Sequence, residues 1–178
     1  MLQGEHIQLR ALEDTDLEFL YAMENDTDVW EVSSTVTPFS KFVLEQYLEN
    51  AHRDIYEVKQ LRLIIETVEN QYTVGCIDLF EYNPQHHRVG VGLVIFNKAE
   101  RAKGYGAESL KLVGRYAFEH LQVHQLFANI TEDNAASIRL FEKVGYKKAG
   151  VKKDWVFIKG TYKDEILYQF FNPNVKGL

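Results

Sequence analysis

The chain of 178 residues, 46% hydrophobic and 13% aromatic, is long enough to bury a substantial core as one domain, residues 1–178. Twenty Lys and Arg against 26 Asp and Glu give a formal charge of −6, which argues against a nucleic-acid binder and weakly favours cationic substrates. A single cysteine, Cys76, excludes an internal disulfide, and the lack of an apolar run of about 18 residues or of a signal-peptide pattern predicts a cytoplasmic protein with no membrane partner.

Alternating apolar and polar residues predict a first strand over 6–11. Leu17, Phe19, Leu20 and Met23 then recur at helical spacing after Asp14-Thr15, and Val43, Leu44, Tyr47 and Leu48 do so after Ser40, so two helices follow. Strands over 61–68, 72–80 and 88–96, separated by short turns at Asn70-Gln71 and Asn83-Pro84, predict an antiparallel meander. Cys76, in the apolar run Val74-Gly75-Cys76-Ile77, reads as packing rather than nucleophile. In the strand over 88–96, Val89, Val91, Leu93 and Ile95 share one face. Gly90 and Gly92 leave the other almost bare, open either to a ligand or to a closely packed helix.

Arg101-Ala102-Lys103-Gly104-Tyr105-Gly106 then leads into a helix marked by Leu110, Val113, Ala117 and Leu121. Glycines at 104 and 106 let backbone N–H groups approach an anion, and the helix start adds partial positive charge, a combination suited to a pyrophosphate. A glycine-rich turn that only starts a helix has the same composition. The dinucleotide fingerprint would need a third glycine where Ser109 stands, and no Gly-Lys-Ser/Thr of a P-loop occurs. A strand over 125–130 follows, far enough along the chain to lie parallel to the strand before the helix. Ile138, Phe141 and Val144 mark a short helix that Asn134 caps and Gly145 ends. Strands over 155–159 and 164–171, joined by a hairpin turn at Gly160-Thr161, complete the order β-α-α-β-β-β-α-β-α-β-β. The adjacent His86 and His87 point to opposite sides of an extended chain, and no further Cys or His falls at ligand spacing, so no metal is expected.

Together, the glycine-bearing strand, Arg101-x-x-Gly104-x-Gly106, the following helix and strand, and Asn134-Ala-Ala-Ser137-Ile-Arg-Leu-Phe-Glu-Lys-Val-Gly145-Tyr146 resemble the GNAT superfamily of acetyl-CoA-dependent N-acetyltransferases. Leu9-Arg10-Ala11-Leu12-Glu13-Asp14-x-Asp16-Leu17 and Lys159-Gly160-Thr161-Tyr162-Lys163-Asp164 look most like its branch of ribosomal-protein N-terminal and spermidine N-acetyltransferases. The resemblance implies an α/β (α+β) GNAT fold, a mixed, mostly antiparallel twisted sheet of about seven strands with helices on both faces. It implies acetyl-CoA as cofactor. The backbones of Val94, Ile95 and Phe96 would pair with the pantetheine arm, while Arg101, Ala102, Lys103, Gly104, Tyr105, Gly106 and Ala107 hold the pyrophosphate. Asn134 would hydrogen-bond the coenzyme near its pantetheine portion, and Phe141 would pack beside it. Lys147-Lys148 and Lys152-Lys153 read as a solvated rim near the 3′-phosphate.

An alkylammonium with a pKa of about 10.4 must lose its proton before attacking a thioester, at a cost of about 4–5 kcal/mol near neutral pH unless the site helps. Preorganised backbone N–H donors stabilise the oxyanion by about 3–4 kcal/mol each, and the departing thiolate needs a proton or a hydrogen bond. Many family members place a tyrosine as acid where this chain has Phe141, which has no proton to give. Ser137 is the substitute and Tyr146 the second candidate, although Ser137 has a plain alternative role in starting its helix. The base, and the groups that recognise the amine, are sought among Glu31, Asp78 and Glu81. Asp78 interrupts the face formed by Val74, Cys76 and Phe80; Glu31 follows Trp30 between the first two helices; Glu81 ends its strand.

The expected activity is direct acetyl transfer to a primary amine, either a protein N-terminus or a polyamine, with no acyl-enzyme because no activated nucleophile is visible. An acidic acceptor cleft would favour the polyamine and an open groove the peptide. A non-catalytic acyl-CoA-binding module is the alternative, and the oligomeric state, a homo-oligomer included, stays open.

Overall fold

The computed structural model describes residues 2–33 and 35–173, in which seven strands form one sheet in the order β1-β2-β3-β4-β5-β7-β6. The strands β1 (Ile7–Arg10), β2 (Leu61–Thr67), β3 (Thr73–Asn83) and β4 (Arg88–Ile95) pair antiparallel in succession. Parallel to β4 runs β5 (Gln125–Thr131), while β7 (Thr161–Phe171) separates it from the edge strand β6 (Lys147–Ile158), both of these contacts being antiparallel. The meander, the parallel crossover and the mixed, mostly antiparallel sheet are those the sequence predicts.

Alternation along β4 distributes the core. Leu93 and Ile95 pack with Val89 and Val91 into a cluster that includes Leu110, Val113 and Ala117 of α5 (Tyr105–Glu119) and Phe141 of α6 (Ala135–Val144). Val94 and Phe96 face the other way, onto Cys76, Leu20 and Met23 of α1 (Leu17–Glu24), Val29 of α2 (Thr27–Ser33) and Leu44 of α3 (Lys41–Glu49). Helices therefore cover both faces. On α5 the buried positions 110, 113 and 117 form one stripe, and truncating Leu110 to Ala would cost about 2–5 kcal/mol.

The most consequential feature is where pairing stops. β4 and β5 are joined only at Arg88 with Gln125, Val89 with Leu126 and Gly90 with Phe127, and beyond Gly90 no pairing continues. Gly90 is bare because the Phe80 ring lies on it: an added Cβ would sit 2.3 Å from Phe80 Cε2, and that ring meets Phe127 of β5 edge-on at 5.7 Å. At Gly90 the bare face is thus filled by an aromatic ring from β3 rather than by a helix. At Gly92 the same ring is 3.7 Å from an added Cβ, and a cavity opens.

Three departures from the sequence reading have physical causes. α2 and α4 (Ile55–Val58) are short and each buries a single apolar residue, Val29 and Ile55, so neither leaves a periodic stripe. β6 starts at Lys147 rather than 155, because an exposed edge strand carrying Lys147, Lys148, Lys152 and Lys153 needs no apolar face. The hairpin turn is centred on Lys159 and Gly160, at φ 49° and 80°, with Ile158 and Thr161 as the flanking pair, which is the type I′ pattern. The segment from Leu9 to Leu17 proves to be a brace: Arg10 donates to both Asp16 oxygens (2.7 and 2.8 Å) and to Glu66 (2.7 Å), tying β1, β2 and the start of α1 together.

Candidate active site

Phe96 N–H donates to Val74 O (2.9 Å), and in an antiparallel ladder every second residue addresses the same neighbour. Val94 and Phe96 are therefore committed to β3, whereas Val91, Leu93 and Ile95 turn their N–H and C=O groups toward β5, where the pairing has ended. The same parity places His87 O on Gln125 N–H at the paired end (3.2 Å). This corrects the expected trio. Of Val94, Ile95 and Phe96 only Ile95 has its main chain on the open side, and Leu93 is the residue overlooked. Phe96 lies edge-on against Phe19 at 5.9 Å, in the core of the opposite face. Ile95 O already accepts from Arg101 Nε (2.9 Å), so Leu93 offers both a donor and an acceptor.

At the start of α5, Gly104 stands at φ 92° with nothing within 4 Å of where a Cβ would be, a conformation costly to any other residue. It has no side chain to cap the helix, so the N–H groups of Tyr105, Gly106 and Ala107 have no helical partner, and Glu108 N–H is the first to bond back, to Gly104 O (3.1 Å). A Cβ on Gly106 would meet Leu140 at 3.1 Å and Leu93 at 3.3 Å, so its absence lets the helix start sit against both α6 and β4. A groove of about 720 Å³ runs past these amides, between α2, the end of β4 and α6. Arg101, Ala102, Arg139 and Lys143 line it. Lys103 turns aside to Glu100 (2.9 Å). The cations at the groove are thus Arg101, Arg139 and Lys143; Lys152 and Lys153 are engaged on β7, with Glu165 and Asp164, which corrects their placement near the 3′-phosphate. Arg139 and Lys143, one turn apart on α6, were legible as a cationic pair only once the helix face was known.

Asn134 caps α6 as expected, its Oδ1 accepting from Ser137 N–H (3.1 Å), which leaves its amide hydrogens for a ligand. Gly145, at φ 115°, ends the same helix. Val32, Leu93, Val94, Asn134 and Ser137 line both the groove and a second cavity of about 490 Å³, so the two spaces meet there. Val91 and Gly92 lie along the second cavity on β4, α2 contributes Glu31, β5 contributes 128–131, and the β6–β7 hairpin contributes Val156 and Glu165. Trp30 fixes α2 by donating its indole N–H to Glu24 O (2.6 Å). Phe141, buried, lines this second cavity rather than the groove, and packs edge-on against Tyr146 at 4.9 Å.

The second cavity presents four carboxylates, Glu31, Asp78, Glu81 and Glu165, against one guanidinium, Arg62. Asp78, its side chain 29% exposed, takes two hydrogen bonds from Arg62 (2.7 and 2.9 Å), and Arg62 also bonds Glu24. Burial works against the Arg62 charge, but the hydrogen bonds and field of Asp78 outweigh it and raise the pKa further. Asp78 is thus a counter-ion, and its candidacy as the base is corrected. Glu31 pairs with Lys159, whose pKa is raised by that hydrogen bond. Glu165 pairs with Lys152. Glu81 sits at φ 49° in the bulge where the β3–β4 register shifts, and alone of the four makes no ion pair among the described residues. Tyr146 is 0% exposed, held between Phe141 and Phe170, with burial pushing its pKa up; it lines neither cavity, so its place as an acid is also corrected. Cys76 is buried with its Sγ 3.5 Å from Met23 Sδ, and burial pushes its thiol up, which removes it as a nucleophile.

The free amides at the start of α5 with Arg101, Arg139 and Lys143 suit a pyrophosphate; of the three carboxylates that also line the groove, two, Asp28 and Glu100, are paired with Lys98 and Lys103. The open edge of β4 suits a chain of amides, so these residues fit coenzyme A. The fold and the two joined spaces define an acyltransferase that brings a coenzyme-linked acyl group to a separate acceptor. Residues 6–147 match the acetyltransferase (GNAT) domain, and the chain belongs to that family of acetyl-CoA-dependent N-acetyltransferases. The spermidine N(1)-acetyltransferase of Vibrio cholerae is 25% identical over 161 residues, 90% of each chain, and that of Escherichia coli K12 is 25% identical over 166 residues, 93% of this chain and 86% of that one. The crystal structure of spermidine N-acetyltransferase from Vibrio cholerae in complex with CoA and spermine matches with a TM-score of 0.83 at 22% identity, covering 93% of this chain and 95% of that one. Family membership decides for the enzyme over the acyl-CoA-binding module.

Proposed function

We propose that the acceptor is a polyamine and that the acetyl group passes to its primary amine without an acyl-enzyme. The observation that carries this reading is the acceptor cavity, lined by four carboxylates of which Glu81 makes no ion pair among the described residues and Glu31 is held only by the exposed Lys159, while Asp78 and Glu165 are engaged by Arg62 and Lys152. Such a lining attracts a polycation and gives a single peptide N-terminus no particular advantage. The spermidine acetyltransferases among the relatives support the same choice.

Each residue has a task in this reading. The amides of Tyr105, Gly106 and Ala107, with Arg101, Arg139 and Lys143, hold the phosphates of coenzyme A, which supplies the activated thioester when bound. Leu93 N–H, at the junction of the two spaces, opposes the negative charge that develops on the acyl oxygen. Ser137 hydrogen-bonds the departing thiolate, standing in for the acid that Phe141 lacks. Glu81, the unpaired carboxylate, receives the proton that the acceptor ammonium must lose, directly or through water.

Free-thiol release from acetyl-CoA, measured against spermidine, spermine, n-butylamine and peptides with free N-termini, tests the proposal. Spermidine is expected to exceed every peptide in kcat/KM by at least about tenfold, the equivalent of one well-placed charge interaction. Peptides matching or exceeding spermidine would overturn it.

A further inference from the structure

Lys159 occupies the tip of the β6–β7 hairpin, in a turn where it and Gly160 both have positive φ and where the rings of Phe157 and Tyr162 pack at 4.9 Å just behind the tip. The turn reaches across to α2, and there the Lys159 ammonium pairs with Glu31. Glu31 lines the acceptor cavity with its side chain 33% exposed; Lys159, 76% exposed, is not part of that lining and meets the cavity through Glu31. Asp28, one turn earlier on α2, also attracts Lys159, although its own hydrogen-bond partner is Lys98 (2.9 Å). A lysine side chain is an ammonium on a four-carbon stem, chemically the same as the aminobutyl arm of a polyamine.

We infer that Lys159 is a built-in competitor for the acceptor: its ammonium holds Glu31 until the second ammonium of a polyamine takes that carboxylate over, which makes Lys159 a specificity-determining residue. The inference rests on the polyamine reading above. The neighbouring pairs explain why this carboxylate, and no other in the cavity, is the one exchanged. Arg62 is largely buried and bonded to both Asp78 and Glu24. Lys152 bonds Glu165 and Asn129 and lies over the Trp155 ring at 5.1 Å. Lys159 has Glu31 as its one hydrogen-bond partner among the described residues and is the most exposed of the three cations, so its hold is the easiest to displace. A monoamine, with its single nitrogen committed to the thioester, has nothing to offer Glu31 and gains nothing from the exchange.

The test uses Lys159→Asn, since Asn tolerates the left-handed turn, together with Glu31→Gln and the double variant. KM and kcat are measured for spermidine and n-butylamine, and spermidine binding is titrated calorimetrically without acetyl-CoA. Lys159→Asn is expected to lower the spermidine KM and dissociation constant by a factor of about 1.5 to 5, the range an exposed ion pair commands, and to leave the n-butylamine KM where it was. Glu31→Gln is expected to raise the spermidine KM and to abolish the effect of Lys159→Asn, because nothing remains to compete for. A spermidine constant that rises or stays level in Lys159→Asn, or falls equally in the Glu31→Gln background, overturns the inference. If no polyamine is acetylated, the polyamine reading falls on its own, and the calorimetric comparison still decides whether Lys159 competes at Glu31.

Discussion

Arg62 of β2 and Asp78 of β3 are register partners across the sheet, and they are locked by two parallel hydrogen bonds at the edge of the acceptor cavity. That geometry separates a structural carboxylate from a catalytic one. Asp78→Asn leaves the buried guanidinium with Glu24 alone and is expected to lower unfolding stability by about 2–4 kcal/mol, somewhat under the cost of breaking a fully buried pair. The pH profile of kcat in the same variant is expected to keep its shape. Urea unfolding and kcat against pH check the two halves, and a lost acidic limb with stability intact would return Asp78 to the role of base.

Ser137 is expected to act on the leaving group and not on coenzyme binding. Replacement by Ala removes a hydrogen bond to a developing thiolate, an effect of about 1.5–3 kcal/mol, so kcat should fall about 10- to 150-fold. The KM for acetyl-CoA should move little, because the helix cap runs through Ser137 N–H, which the substitution keeps. Steady-state kinetics with Ala and Thr variants distinguish this from a packing role, since Thr restores the hydroxyl.

Two substitutions at Gly104 should diverge. A Cβ there meets nothing within 4 Å, so Gly104→Ala suffers mainly from the positive φ, roughly 1–2 kcal/mol of stability, and still binds coenzyme. Gly104→Glu adds a negative charge beside the amides that receive the phosphates and is expected to abolish stabilisation by acetyl-CoA. Thermal melts with and without acetyl-CoA give the comparison, and equal shifts in Gly104→Glu and the parent would refute the cradle.

Acid stability should depend on the brace at Asp16. Burial alone would raise the Asp16 pKa, but hydrogen bonds from Arg10 and from Glu13 N–H, with the Arg10 charge, lower it below the ordinary carboxylate value. The unfolded chain therefore binds the proton first. Stability from this group is complete above the unfolded value of about 3.9 and is lost as pH falls through the lower, folded one. Unfolding curves between pH 2 and 6 should show Asp16→Asn less stable than the parent at pH 6 and less sensitive to acid below pH 4.

Much of this was legible in the sequence because the relevant signals are local. The cap at Asn134, the stop at Gly145 and the glycine start of α5 each depend on a few consecutive residues and were found where expected. Leu93 was missed because strand parity depends on register with β3, where its partner is Ile77, a contact that no local pattern records. Asp78 was misjudged for the same reason: whether a carboxylate is free depends on the residue opposite, and Arg62 lies 16 positions back. Tyr146 and Phe141 are both buried, but only Phe141 reaches the cavity, because Tyr146 is held between Phe141 and Phe170 from the far end of the chain.

The sheet comes apart in its middle, between Val91 and Ile95, rather than at a border. Coenzyme A held there as proposed would lie along β4 like one more strand, on the side where β5 no longer pairs. Its arrival and departure would then add and remove hydrogen bonds at the Leu93 main chain, so amide exchange at Leu93 is expected to slow when coenzyme is bound.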